Sequence, residues 1–239
     1  MKRALVTGGS GGIGAAICKR LAADGHHVLV HANRGLDRAA TVVAAIQASG
    51  GSAEAVAFDV TDRAATAAAL DTLLEGGAIQ ILVNNAGIHD DAVFPGMSGE
   101  QWDRVIDVSL NGFFNVTQPL TLPMIRTRWG RIVNVSSVAA VAGNRGQVNY
   151  SAAKGALHAA SKSLALELAS RGISVNVVAP GIIETGMSEG AFDADTIRKL
   201  VPMQRAGQPE EVAELVAFLA SDKAAYISGQ VISINGALI

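Results

Sequence analysis

Short apolar runs alternate along the chain with longer stretches in which apolar positions return every three or four residues. The runs at 4–6, 28–31, 53–58, 81–84, 131–135, 174–178 and 231–234 predict strands. The periodic stretches at 13–23, 37–49, 63–74, 151–170 and 209–220 predict helices, and 102–124 reads as one long helix with Pro119 inside it. Strands this apolar are buried on both faces, so the sheet is expected to be parallel, with helices on each side. The β-α-β rhythm predicts a doubly wound α/β sheet of seven strands, in which ligands bind at the carboxyl ends of the strands. There is no internal repeat and no composition break, so residues 1–239 read as a single domain. The stretch 180–200 lacks clear periodicity and reads as a substrate-covering loop or lid.

Composition narrows the classes. The charged fraction is 17% in a chain that is 49% hydrophobic, against about 25% charged in ordinary globular domains. Either surface is buried between subunits, or the sequence is simply rich in Ala and Gly. A net charge of −2 without a basic cluster gives no footing for nucleic acid. One cysteine, Cys18, rules out an intrachain disulfide and fits a reducing, cytoplasmic setting; its apolar helical surroundings make it a small core residue. The apolar run before the first glycines is too short for a signal peptide, and no segment is apolar for long enough to predict a membrane span. His26, His27, His31, His89 and His158 lack metal-ligand spacing and read as surface or loop residues, so no metal is expected. Asp90 and Asp91 read as a solvated loop near the site, and Trp102 and Trp129 as packing residues.

The first predicted strand runs into Thr7-Gly8-Gly9-Ser10-Gly11-Gly12-Ile13-Gly14, directly before the first helix. Glycines there allow a tight turn and close approach of backbone to a pyrophosphate, while the helix start offers orphan N–H groups. This placement predicts a dinucleotide site in a Rossmann-like domain. After the second strand comes His31-Ala32-Asn33-Arg34, with no acidic residue before Asp37 to bind ribose hydroxyls. Arg34 is suited instead to a 2′-phosphate, so the expected cofactor is NADP(H).

The glycine loop, Asn84-Asn85-Ala86-Gly87 after the fourth strand, Ser137, Tyr150-Ser151-Ala152-Ala153-Lys154 and Pro180-Gly181 follow one another over nearly the whole chain. Together they resemble the short-chain dehydrogenase/reductase family, and within it the 3-oxoacyl-[acyl-carrier-protein] reductases. Segments 143–150, 170–176, 181–185 and 226–230 are similar to that group. The resemblance implies cofactor contacts at Thr7, Gly8, Gly9, Ser10, Gly12, Ile13, Gly14, Asn85, Ala86 and Gly87. It adds Asp59 and Val60 beside adenine, and Pro180, Gly181, Ile183 and Thr185 beside the carboxamide; Asp59 has the alternative of capping the next helix. It also implies a homotetramer, and carrier-protein contacts at Arg128 and Arg171.

The chemistry follows from the residues. Tyr150 and Lys154 stand four apart on a helix and share a face. Reduction of a ketone puts charge on oxygen and needs a proton. A phenol near its ordinary pKa of ~10 is a weak acid–base catalyst, and a nearby ammonium is expected to tune it downward. Lys154 also suits the nicotinamide ribose, and Ser137 suits an oxyanion-type hydrogen bond.

Two positions depart from the family pattern. Asp107-Val108-Ser109-Leu110-Asn111-Gly112 places Ser109 where the family carries a catalytic asparagine, which leaves a shorter polar group for the proton relay. Gly11 stands where many NADP-using relatives carry Arg or Lys, so Arg34 is more nearly alone. The competing readings are a reductase of another carbonyl compound, such as acetoacetyl-CoA or a sugar, and a non-catalytic NADP(H)-binding sensor or scaffold.

Overall fold

The computed structural model describes residues 1–185 and 193–239. Its seven strands are β1 (Arg3–Val6), β2 (His27–Ala32), β3 (Ser52–Ala57), β4 (Ile79–Asn84), β5 (Gly130–Val135), β6 (Ile173–Pro180) and β7 (Val231–Ile234). They form one sheet in the order β3-β2-β1-β4-β5-β6-β7, and every neighbouring pair is parallel. The helices are α1 (Gly12–Ala23), α2 (Leu36–Ala48), α3 (Arg63–Glu75), α4 (Gly99–Ile106), α5 (Gly112–Thr127), α6 (Ala139–Ala142), α7 (Val148–Leu168), α8 (Ala194–Leu200) and α9 (Pro209–Ala220).

Side chains alternate across a strand, so successive residues feed different cores. Ala4 and Val6 of β1 join Val28, Val30, Ile81, Val83 and Val133 against α1, α2 and α9. Leu5 joins Leu29, Leu82, Ile132 and Val175 against Val116 and Leu120 of α5 and Leu168 of α7. Both faces are apolar, which is why the strand runs in the sequence show no polar alternation. Chain order reverses between β1 and β4, opening the crevice where such sheets bind ligands.

A polar string crosses this core. Asn84 donates through Nδ2 to Thr117 Oγ1 (2.9 Å) and Asn134 Oδ1 (2.8 Å), and Asn134 donates to Ser161 Oγ (2.7 Å). It joins β4, β5, α5 and α7 directly beneath the crevice, with its buried polar atoms satisfied.

Several expectations are corrected. The stretch 102–124 is not one helix: α4 and α5 are separated by a π-helical segment, Asp107–Asn111. The wider turn seats Gly112 on Val60, where an added Cβ would lie 2.9 Å from Val60 Cγ2, and buries Ser109. Such single π turns recur at functional sites. Helix α7 begins at Val148, not Ser151, so Tyr150 lies in its first turn. The 180–200 stretch is not all loop: Ile183 bridges to Gly207, and Asp193 caps α8. The remainder of the expected lid, 186–192, lies outside the described residues. His31 is no surface residue but is buried in β2, and His158 is half-buried on α7, paired with Ser136. The cap of α3 is Asp62, not Asp59. Among the described residues, no helix is long and apolar enough to cross a membrane.

Candidate active site

The loop after β1 is shaped by its neighbours. Gly8 has a φ of +63°, and a Cβ on Gly14 would stand 2.2 Å from the Gly8 carbonyl, so neither position admits a side chain. Thr7 Oγ1 accepts from the N–H groups of Asn85 and Ala86 (both 3.0 Å), and Asn85 Nδ2 donates to the carbonyls of Thr7 and Gly8. These two side chains therefore bind the β1 and β4 loops to each other. Helix α1 starts with no side-chain cap and no acidic residue in its first turn, unlike α3 and α4, which Asp62 and Ser98 cap. Its orphan amides at Gly12, Ile13 and Gly14 are the donors an anion needs, so this chain fits a pyrophosphate-bearing dinucleotide. Thr185 lies over that helix start, 3.0 Å from where a Cβ on Gly12 would be. The β6 end joins the same crevice: Val138 N–H donates to the Pro180 carbonyl, and Gly181 N–H to that of Ile234.

Arg34 is exposed beyond β2 and, among the described residues, makes no ion pair of the kind that occupies Arg20, Arg104, Arg131, Arg198 and Arg205. Asp59 accepts from the N–H and hydroxyl of Thr61, and those bonds, with a smaller contribution from Arg34, hold its carboxyl below the usual range. Val60 is buried against the π segment.

Tyr150, Lys154, Ser137 and Ser109 converge at the mouth of the crevice. Lys154 is buried, and its Nζ donates to the Val135 carbonyl at 2.9 Å. Burial lowers this ammonium to about 8. Tyr150 moves the other way: burial raises the phenol, Asp91 raises it further, and only the Ser137 hydroxyl opposes them. The expected downward tuning by lysine is not seen: burial sets the direction for this phenol, and Lys154 is not among the groups that lower it. A protonated phenol at neutral pH is nonetheless what a proton donor requires. Ser109 Oγ is buried without a hydrogen-bond partner among the described residues. It borders a cavity of about 10 Å³ lined by Thr7, Asn84, Ala86 and Gly112 among others, room for about one water. A Cβ on Gly87 would meet Lys154 Nζ at 2.9 Å and Ser109 Oγ at 3.6 Å, so this glycine keeps the two polar groups in one space.

The sequence reading missed Asn149. Fully buried, it donates to the carbonyls of Asp90 and Gln101 and accepts from the Tyr150 N–H, so it fixes the start of α7 against the β4 loop and α4. Its adjacency to Tyr150 was the available signal. Asp90 is not merely solvated: it receives hydrogen bonds from Gln101 and Arg104. Arg128 and Arg171 are not brought to the site. They precede β5 and β6, at the opposite end of the sheet from Ser137 and Pro180, a strand length of roughly 20 Å. Among the described residues no cluster of three His, Cys, Asp or Glu side chains is suited to a metal.

Comparison with known proteins settles the family. The short chain dehydrogenase family matches residues 2–196. The chain belongs to this family. It is therefore an oxidoreductase, of a family that works with a nicotinamide cofactor. It is 47% identical to a 3-oxoacyl-[acyl-carrier-protein] reductase of Aggregatibacter actinomycetemcomitans, over 98% of both chains. It is 44% identical to nodulation protein G of Rhizobium sp. (strain N33), over 99% of this chain and 96% of that one. An acetoacetyl-CoA reductase of Acinetobacter sp. (strain RA3849) is 43% identical, over 99% and 97%.

Proposed function

We propose that this short-chain dehydrogenase reduces a 3-oxoacyl thioester, carried on acyl carrier protein, to the 3-hydroxyacyl product with NADPH, in the cytoplasm. The observation that carries the reading is the meeting of Tyr150, Lys154 and Ser137 at the crevice, in a chain 47% identical over its length to a 3-oxoacyl-[acyl-carrier-protein] reductase. When bound, the cofactor supplies the hydride. The amides at the start of α1 hold its pyrophosphate, the β4 loop (Asn85, Ala86, Gly87) and the β6 loop (Pro180, Gly181, Ile183, Thr185) flank it, and Arg34 takes the 2′-phosphate. Ser137 donates a hydrogen bond to the substrate oxygen, and Tyr150 gives that oxygen its proton as charge develops. Lys154, the buried ammonium four residues along the same helix, holds the ribose and replenishes the phenol's proton. Ser109, with the cavity beside it, is the polar end of that relay.

The location of Arg128 and Arg171 shapes the partner reading. On one chain they face away from Tyr150, so a carrier protein docked on them would serve the active site of a neighbouring copy. A homo-oligomer, expected as a tetramer, is supported by the large apolar side chains exposed on α5 (Phe114, Leu122) and α7 (Leu166).

NADPH oxidation, followed by absorbance with acetoacetyl-carrier protein, acetoacetyl-CoA and matched NADH controls, tests the proposal. Faster turnover of the carrier-bound substrate with NADPH is expected. The second reading, reduction of acetoacetyl-CoA, is favoured by the similarity to the Acinetobacter enzyme; equal or faster turnover of the CoA thioester would establish it instead.

A further inference from the structure

One side chain that no motif marks holds the loop after β1. His31 is 1% exposed. The Gly8 N–H donates to its Nδ1 at 3.1 Å, and its Nε2 lies 2.9 Å from the Phe58 carbonyl. The imidazole packs on the Phe58 ring, with centroids 4.2 Å apart. One protonation state satisfies both contacts: Nδ1 must present its lone pair to Gly8, so Nε2 carries the hydrogen and donates it to Phe58. An imidazolium would aim an N–H at the N–H of Gly8. From the other side, a Cβ on Gly8 would meet Asn85 Nδ2 at 3.0 Å and Ala86 Cα at 3.1 Å, so the turn is held between His31 and the β4 loop.

We infer that neutral His31 is a positioning residue for the dinucleotide: it fixes the Gly8 turn so that the first amides of α1 face the pyrophosphate, and its protonation releases the loop. This rests on the cofactor reading above. Of the titratable groups on the surrounding elements, Asp59 acts on the ring directly. Asp59, just after β3, favours the charged ring; Arg34, after β2, acts on Asp59; Cys18 of α1 sits under Gly9 as a neutral thiol, its pKa pushed up by burial. Burial outweighs the hydrogen bond to the Phe58 carbonyl and the attraction of Asp59 and keeps the imidazole pKa below its ordinary 6.5, so His31 is neutral at pH 7 and charges only in acid.

The test compares wild type with His31→Asn, whose Oδ1 replaces the acceptor for Gly8, and His31→Leu, which has none. NADPH affinity is read by fluorescence without substrate, beside melting temperature, and KM and kcat are read separately. Wild type that fails to bind NADPH would defeat the cofactor reading, not this one. With wild type binding, the expected result is about a tenfold loss of affinity in His31→Leu, the scale of one hydrogen bond. His31→Asn is expected to stay within about threefold, and losses are expected in KM for NADPH rather than in kcat. Equal loss in both variants, or loss in neither, overturns the inference. If His31→Leu does not fold, pH decides. The cofactor's own phosphate titrates near ~6, and the His31→Asn profile removes that contribution. Wild type is expected to lose affinity relative to His31→Asn as pH falls below 6.5, and parallel profiles overturn the inference.

Discussion

The Nζ of Lys154 stands 5.9 Å from the centre of the Tyr150 ring, on the same face of α7. The ammonium is buried and has a single carbonyl, that of Val135, as partner. Its pKa of about 8 against an ordinary 10.5 sets a pH window. The charged form is the active one, so kcat/KM for ketone reduction is expected to fall as pH rises through about 8, in an initial-rate profile.

The same burial carries a stability cost. The unfolded chain binds the proton more tightly than the native one between about 8 and 10.5, so stability should rise with pH across that window. Below it the full cost is present, on the order of 3 kcal/mol. Lys154→Met is expected to melt at higher denaturant than wild type at pH 7, and the advantage should shrink towards pH 10. Urea titrations at several pH values check this.

Gly87 faces that ammonium. Gly87→Ala places a methyl 2.9 Å from Nζ, and the buried lysine, tied to Val135, has little room to yield. Turnover is expected to fall at least tenfold, with a melting temperature within a few degrees of wild type.

The phenol and hydroxyl should separate chemistry from binding. Tyr150→Phe is expected to cut kcat by at least ~10³-fold, the upper part of the range for a general acid, while NADPH titration by fluorescence shows unchanged affinity. Retained turnover would remove Tyr150 from its assigned role.

Ser109 offers a finer probe. Its Oγ has no partner to lose among the described residues, so Ser109→Ala should change stability by less than about 1 kcal/mol. A relay through this hydroxyl predicts a several-fold fall in kcat, with KM for NADPH unchanged. A wild-type rate would place Ser109 outside the chemistry.

Arg34 is exposed and makes no ion pair among the described residues, so Arg34→Glu should leave folding intact within about 0.5 kcal/mol. KM for NADPH is expected to rise tenfold or more, while KM for NADH changes little or falls. Initial-rate kinetics with both cofactors check the preference.

The sequence by itself determined the sheet and the position of the crevice. Uninterrupted apolar strands such as Ile81-Leu82-Val83 must be covered on both faces, and the glycines at 8 and 14 admit only a close turn against a helix start. It also marked Tyr150 and Lys154 as neighbours, because helical spacing is local information. Long-range placement was decided only by the tertiary structure. The π turn around Ser109 follows from Gly112 seating on Val60, some fifty positions away, and no local periodicity records that contact. His31 looked like a loop residue until β1 and β3 closed on either side of it, since a histidine's role depends on what its two nitrogens meet. The phenol's upward shift has the same origin: burial is a property of the assembled site, and it outweighs the Ser137 hydrogen bond that lowers the phenol.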